Sequence, residues 1–172
     1  ITNFYDDFIE KYLLYHLPEV KIILITKNHT VTNILQKKFN SSNIIIKSFS
    51  ELGGIWVRDW GPFQVLNNNP SSIYYKAKYC YDYYPVNEKV YGEKDNQAGF
   101  ELCNLLSSIN HNALIEDLDL FWDGGNLTHN EDGIAIITEK ILSDNSSKYY
   151  VHQIENVLKS KFGFSKVIFI PI

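Results

Sequence analysis

The sequence predicts a mixed α/β fold on three observations. Its first fifty residues read as helix, strand, helix, strand. A unit of strands, hairpin, helix and strand then recurs, at roughly 53–115 and again at 122–170. Hydrophobic residues make up 45% of 172 residues, enough for one domain with a sizeable core.

The elements follow in order. Residues 4–17 place Phe4, Tyr5, Phe8, Ile9 and Tyr12 on one helical face and Asp6, Asp7, Glu10 and Lys11 opposite, and Pro18 ends the helix. Residues 20–26 (VKIILIT) form a short β-branched run expected as a buried strand. Asn28 or Thr30 caps the next helix, whose stripe is Val31, Ile34, Leu35 and Phe39. Residues 43–49 (NIIIKSF) give a second buried strand.

Residues 63–66 and 73–79 are expected as strands about a turn at 67–72. Residues 80–96 read as an irregular, Tyr-, Asp- and Asn-rich loop of the kind that carries binding sites. A helix over 97–109 follows, with Leu102, Leu105, Leu106 and Ile109 on one face, and a short strand opens at 113–115. Residues 126–128 and 134–138 read as a hairpin turning near Asp132-Gly133. A helix then turns Tyr150, Ile154, Val157 and Leu158 inward, and 166–170 (KVIFI) is a last buried strand. No linker or charge run divides the chain, so a single domain over 1–172 is expected.

Composition excludes several classes of function. A net charge of -4 gives no electrostatic footprint for nucleic acid and suits a cationic small substrate. The two cysteines, Cys80 and Cys103, show neither metal-ligand spacing nor a disulfide framework, and no metal or cofactor is expected. No apolar run reaches the length of a membrane span, and the first residues lack the basic, apolar, small-residue pattern of a signal peptide. A soluble, cytoplasmic protein is the expectation. Residue 1 is Ile and Met is absent, which points to part of a longer translation product, and the apolar strand at the C-terminal end fits a chain cut within a fold.

Two stretches hold the candidate chemistry. Gly53-Gly54-Ile55-Trp56-Val57-Arg58-Asp59-Trp60-Gly61-Pro62 sets an Arg-Asp pair between two tryptophans, with glycine and proline punctuating the backbone. Phe121-Trp122-Asp123-Gly124-Gly125-Asn126 repeats the ingredients: aromatic, acid, glycine pair. Such a turn is suited to hold a carboxylate at the mouth of a pocket. The plainer alternatives stand beside it: Asp59 as the ion-pair partner of Arg58 or a turn cap, Asp123 as a turn residue, and the tryptophans as core. Cys103 falls near a helical apolar stripe and reads as core, and His129 reads as a hairpin-surface residue.

GIWVRDWGPF followed by WDGGN resembles the agmatine deiminase and Porphyromonas-type peptidylarginine deiminase family of guanidino-group-modifying enzymes. The resemblance covers nearly the whole chain. It implies part of an α/β propeller of the pentein type, built from repeated ββαβ units around a central pocket. It also implies a hydrolase in which a cysteine thiolate attacks the guanidinium carbon, ammonia leaves, a histidine shuttles protons and carboxylates grip the cation. A guanidinium is a planar fork of N–H donors that pairs with carboxylates bidentately, and its burial demands compensating negative charge.

By this resemblance Asp59 and Asp123 are the catalytic-site carboxylates that bind the guanidinium, and Trp56 and Trp60 wall the pocket by stacking on it. Arg58 is expected to brace a neighbouring carboxylate. Asp123 stands where many agmatine deiminases have Glu. The sequence also departs from the family by absence. None of His16, His29, His111, His129 and His152 lies in a His-x-Asp motif, and neither cysteine lies in the family's cysteine motif. The chain therefore resembles the N-terminal half of a deiminase, its partners an agmatine-like or arginine substrate and the remainder of the same fold. The alternative is a non-catalytic module of the same fold that binds arginine-like groups or a partner protein.

Overall fold

The computed structural model describes residues 7–13, 15, 19–66, 72–78, 89–109 and 113–172. It divides into two compact units, Ile1–Ser50 and Glu51–Ile172. The turn expected at 67–71, the first half of the expected loop at 80–96, Cys80, His16 and His111 lie outside the described residues.

In the first unit a π-helical turn, Phe8–Leu13, precedes strand β1 (Ile22–Thr26), helix α1 (His29–Lys38) and strand β2 (Ile44–Ser48). The two strands pair in parallel, from Ile22 opposite Ile44 to Thr26 opposite Ser48, as a helical crossover requires. Asn28 is the cap: its side-chain oxygen accepts from the Thr30 amide at 2.8 Å and the Val31 amide at 3.4 Å. Ile9, Phe39, Ile44 and Ile46 form the core.

The inward face of α1 differs from the expected stripe. Val31 and Ile34 are exposed, whereas Thr32 is buried. Thr32 meets its polar needs locally, donating to the Asn28 carbonyl at 3.2 Å and sharing a 2.6 Å contact with the Thr26 hydroxyl. A satisfied hydroxyl is cheap to bury, so it takes the place a larger apolar residue was expected to fill.

The second unit contains the ββαβ motif twice. After a helical turn α2 (Val57–Trp60), strands β3 (Phe63–Leu66) and β4 (Ser72–Lys78) pair antiparallel; helix α3 (Lys89–Ile109) then leads to β5 (Leu114–Phe121), parallel to β4. The second copy runs through β6 (Leu127–His129), β7 (Ile134–Thr138), a short helix α4 (Lys140–Asp144), helix α5 (Val151–Phe162) and β8 (Lys166–Ile170). Its pairing repeats the first: β6 antiparallel to β7, β7 parallel to β8. Both sheets have three strands with the middle strand of each shared between hairpin and crossover. The hairpin turn falls at Gly133, whose φ of 77° is left-handed.

Four expectations are corrected here. Helix α3 begins at Lys89, so the second half of the expected loop is helical. From residue 92 on, its inward stripe is Gly92, Asp95, Ala98, Gly99, Leu102 and Cys103, spaced as a helix requires and small as far as Gly99. Strand β5 runs eight residues, because Leu118 and Leu120 alternate inward between the outward-facing Asp117 and Asp119. Tyr150 is 75% exposed and precedes α5, its amide donating to the Gln153 side chain at 2.8 Å, while Ile154 and Leu158 are buried as expected. Strand β8 is half-buried: Val167 and Phe169 pack on the core, but Ile168 and Ile170 are exposed on this edge strand.

One core joins the two copies. Tyr75, Ala77, Leu118 and Leu120 of the first meet Leu127, Ala135, Ile137, Ile141, Ile154 and Leu158 of the second. Trp122 sits at the seam, 1% exposed, stacked on Phe63 with ring centroids 4.2 Å apart and edge-on to Phe162 at 5.2 Å.

Candidate functional site

The seam also brings the two acidic stretches together. Helix α2 is a single turn closed by the Gly61 amide on the Val57 carbonyl at 2.7 Å. Trp60 anchors it from below, 3% exposed. Asp59 projects from the same turn, partly buried. Opposite lies a 3-10 turn, Gly124–Asn126, capped by Asp123, whose Oδ1 accepts from the Gly125 amide at 3.2 Å.

The glycine pair is what permits the approach. A Cβ at Gly124 would stand 2.1 Å from the carbonyl oxygen of Arg58, so the backbones of α2 and the 3-10 turn are in direct contact. A Cβ at Gly125 would stand 2.4 Å from Asp59 Oδ1 and 3.4 Å from Asp123 Oδ1. Both carboxyl groups therefore converge over the bare backbone of Gly125. Arg58 Nη2 completes the junction by donating to the Leu127 carbonyl at 3.2 Å. The expected carboxylate brace is thus a backbone brace: the guanidinium ties α2 to the start of β6.

The electrostatics follow from that convergence. The Asp123 carboxyl is pushed up to about 6, first by burial, then by the charge of Asp59 and by a side-chain hydrogen bond to Asp59. The Gly125 amide and the charge of Lys140 act in the opposite sense without cancelling it. Two carboxylates within hydrogen-bond reach need either a shared proton or a cation between them. This pair can accept a cation that brings several N–H donors.

Asp95 is the residue the sequence reading missed. It is 1% exposed on α3, and its Oδ1 accepts from the amides of Gly53 at 2.9 Å and Gly54 at 2.8 Å. Its Oδ2 is buried with no hydrogen-bond partner among the described residues. Burial raises its pKa, the two amides lower it, and Asp59 raises it further. The available signal was the spacing of Gly92, Asp95, Ala98 and Leu102, which is helical once small residues count as inward-facing.

The other candidates fall as follows. Trp56 is 64% exposed, flanked by the exposed Ile55 and Val57, while Trp60 and Trp122 are buried in the core. Cys103 is buried as expected, and burial raises its thiol to about 11, a value unsuited to a thiolate nucleophile. His129 is exposed on β6 beside Phe164. Among the described residues no three His, Cys, Asp or Glu side chains cluster as metal ligands, and no helix is long and apolar enough to cross a membrane.

Two ββαβ units on one core give the chain an α/β fold of the pentein type, part of a propeller of such units. The sequence from residue 9 to residue 171 matches the family of Porphyromonas-type peptidyl-arginine deiminases, and the chain belongs to that family. Among solved structures, it is similar to the C315S agmatine deiminase of C. jejuni with substrate bound: TM-score 0.70, 16% identity, 98% of this chain and 47% of that one. It is also similar to the agmatine deiminase of Enterococcus faecalis: TM-score 0.62, 16% identity, 87% of this chain and 40% of that one. The chain thus spans less than half the length of these structures. No curated protein matches the sequence.

Proposed function

We propose that Asp59 and Asp123 grip a cationic guanidinium group, as the substrate clamp of a deiminase acting on agmatine or an arginine side chain. The carrying observation is the convergence of both carboxyl groups over Gly125. Each carboxylate can accept two N–H bonds from one edge of the planar cation, and its charge replaces the proton that otherwise relieves their repulsion. Fixing the plane of the guanidinium also fixes its carbon for attack from one face. Net turnover converts guanidino to ureido, consuming water and releasing ammonia. Family membership and the substrate-bound agmatine deiminase of similar fold support this reading. Trp56 is the accessible aromatic beside the clamp in sequence and the one suited to stack on the cation.

The test is calorimetry of agmatine and of arginine with the full chain and its Asp59→Asn variant. The expected loss on Asp59→Asn is about tenfold or more in affinity. Equal binding by both removes Asp59 from the site. A second reading is a module that binds arginine-like groups without turnover; Cys103, buried with its thiol raised to about 11, is unsuited to the nucleophile's part in either reading. Ammonia release from agmatine by the full-length protein separates the two.

A further inference from the structure

We propose that Asp95 is a positioning residue for the acidic pair: by clamping the Gly53 and Gly54 amides to α3, it fixes where Asp59 stands relative to Asp123.

Three observations converge on Asp95. One of its oxygens takes both amides of the Gly-Gly step that leads into α2, at 2.9 and 2.8 Å, bridging more than forty residues of sequence. One helical turn further along α3, a Cβ at Gly99 would stand 2.7 Å from the Trp60 carbonyl. Helix α3 therefore holds the approach to α2 through Asp95 and its exit through Gly99, with Asp59 between them. Finally, a carboxylate that is 1% exposed, with an oxygen unpartnered among the described residues, is costly to keep.

Asp95 acts through geometry, which makes the inference separable from the guanidinium reading. The charges that displace Asp123 from its ordinary range come from Asp59 and, in the opposite sense, Lys140. Asp95 is not among them, although Asp59 acts on Asp95 itself. With Asp95→Asn as the control for the lost charge, a change in the titration of Asp123 on removing the acceptor reports a rearrangement of the acidic pair.

The experiment follows the Asp123 carboxyl by carbon-13 NMR across pH in the ligand-free full chain. Asp95→Asn keeps an acceptor oxygen for both amides, Asp95→Ala removes it, and Asp95→Leu removes it while filling the volume if Asp95→Ala does not fold. The expected result is an Asp123 midpoint near about 6 in wild type and Asp95→Asn, and a fall toward the ordinary carboxylate range in Asp95→Ala or Asp95→Leu. Agmatine affinity, which rests on the proposed function, should follow: near wild type for Asp95→Asn and weaker by about tenfold or more for Asp95→Leu. An unchanged midpoint in folded Asp95→Leu overturns the inference, as does Asp95→Asn falling as far as Asp95→Leu. If wild type takes up no agmatine, the guanidinium reading fails and the titration still decides the role of Asp95.

Discussion

At the residue scale, Asp123 carries opposite consequences for stability and for binding. Its carboxyl lies at about 6 in the folded chain, raised from 3.8, so the folded state holds the proton more tightly than the unfolded one. The resulting stabilisation is present at acid pH and is lost as the pH rises from 3.8 through about 6. Binding of a cation runs the other way, because the proton must leave before the guanidinium enters. Urea denaturation is expected to show this loss of stability over the window in wild type and a flatter profile in Asp123→Asn. Calorimetry is expected to show agmatine binding tighten over the same window, with proton release revealed by buffers of different ionisation enthalpy. Tighter binding at the acid end would contradict a shared proton between Asp59 and Asp123.

At the scale of elements, the two carboxyl groups meet because a helical turn and a 3-10 turn touch backbone to backbone. The two glycines that allow it differ in what they meet, and their substitutions should differ accordingly. Gly124→Ala drives a methyl into the Arg58 carbonyl, which cannot give way without displacing α2. A stability loss of about 1–3 kcal/mol is expected by denaturant titration. Gly125→Ala meets the end of the Asp59 side chain, which can rotate aside. Its stability should stay near wild type while the Asp123 midpoint falls and agmatine affinity drops; a reversed order of the two stabilities would refute this packing. The same scale explains why α3 was half missed. Gly92, Asp95, Ala98 and Gly99 carry little hydrophobic signal, yet small size is what lets the helix come close to α2. Strand β5 was cut short for a related reason: Asp117 and Asp119 interrupt its apolar run as outward-facing residues, and Lys78 and Lys161 pair with Asp119 and Glu116.

At the scale of the second compact unit, two copies of one motif share a core through Trp122. Truncating it should loosen both copies together. Trp122→Ala is expected to cost about 3–5 kcal/mol, and native-state hydrogen exchange should show lost protection in β4 as well as β7. Loss confined to β7 would mean that the copies are independently stable. The repetition was legible in the chain because strand and helix periods alternate in the same order twice, and the hairpin at Gly133 carries its own turn chemistry.

The α/β class, the recurring unit of strands, helix and strand, and the two acidic stretches were legible in the chain, because each is written in local periodicity or in residues with strong backbone preferences; the cap of α1 was narrowed to Asn28 or Thr30. Only long-range packing sets Asp59 and Asp123 over one glycine, ties Arg58 to a carbonyl, buries Trp60 and holds Asp95 against the Gly53 and Gly54 amides. These depend on close approaches between segments distant in the chain. Such approaches are made possible by what side chains lack, and a missing side chain leaves no hydrophobic signal in the sequence to read.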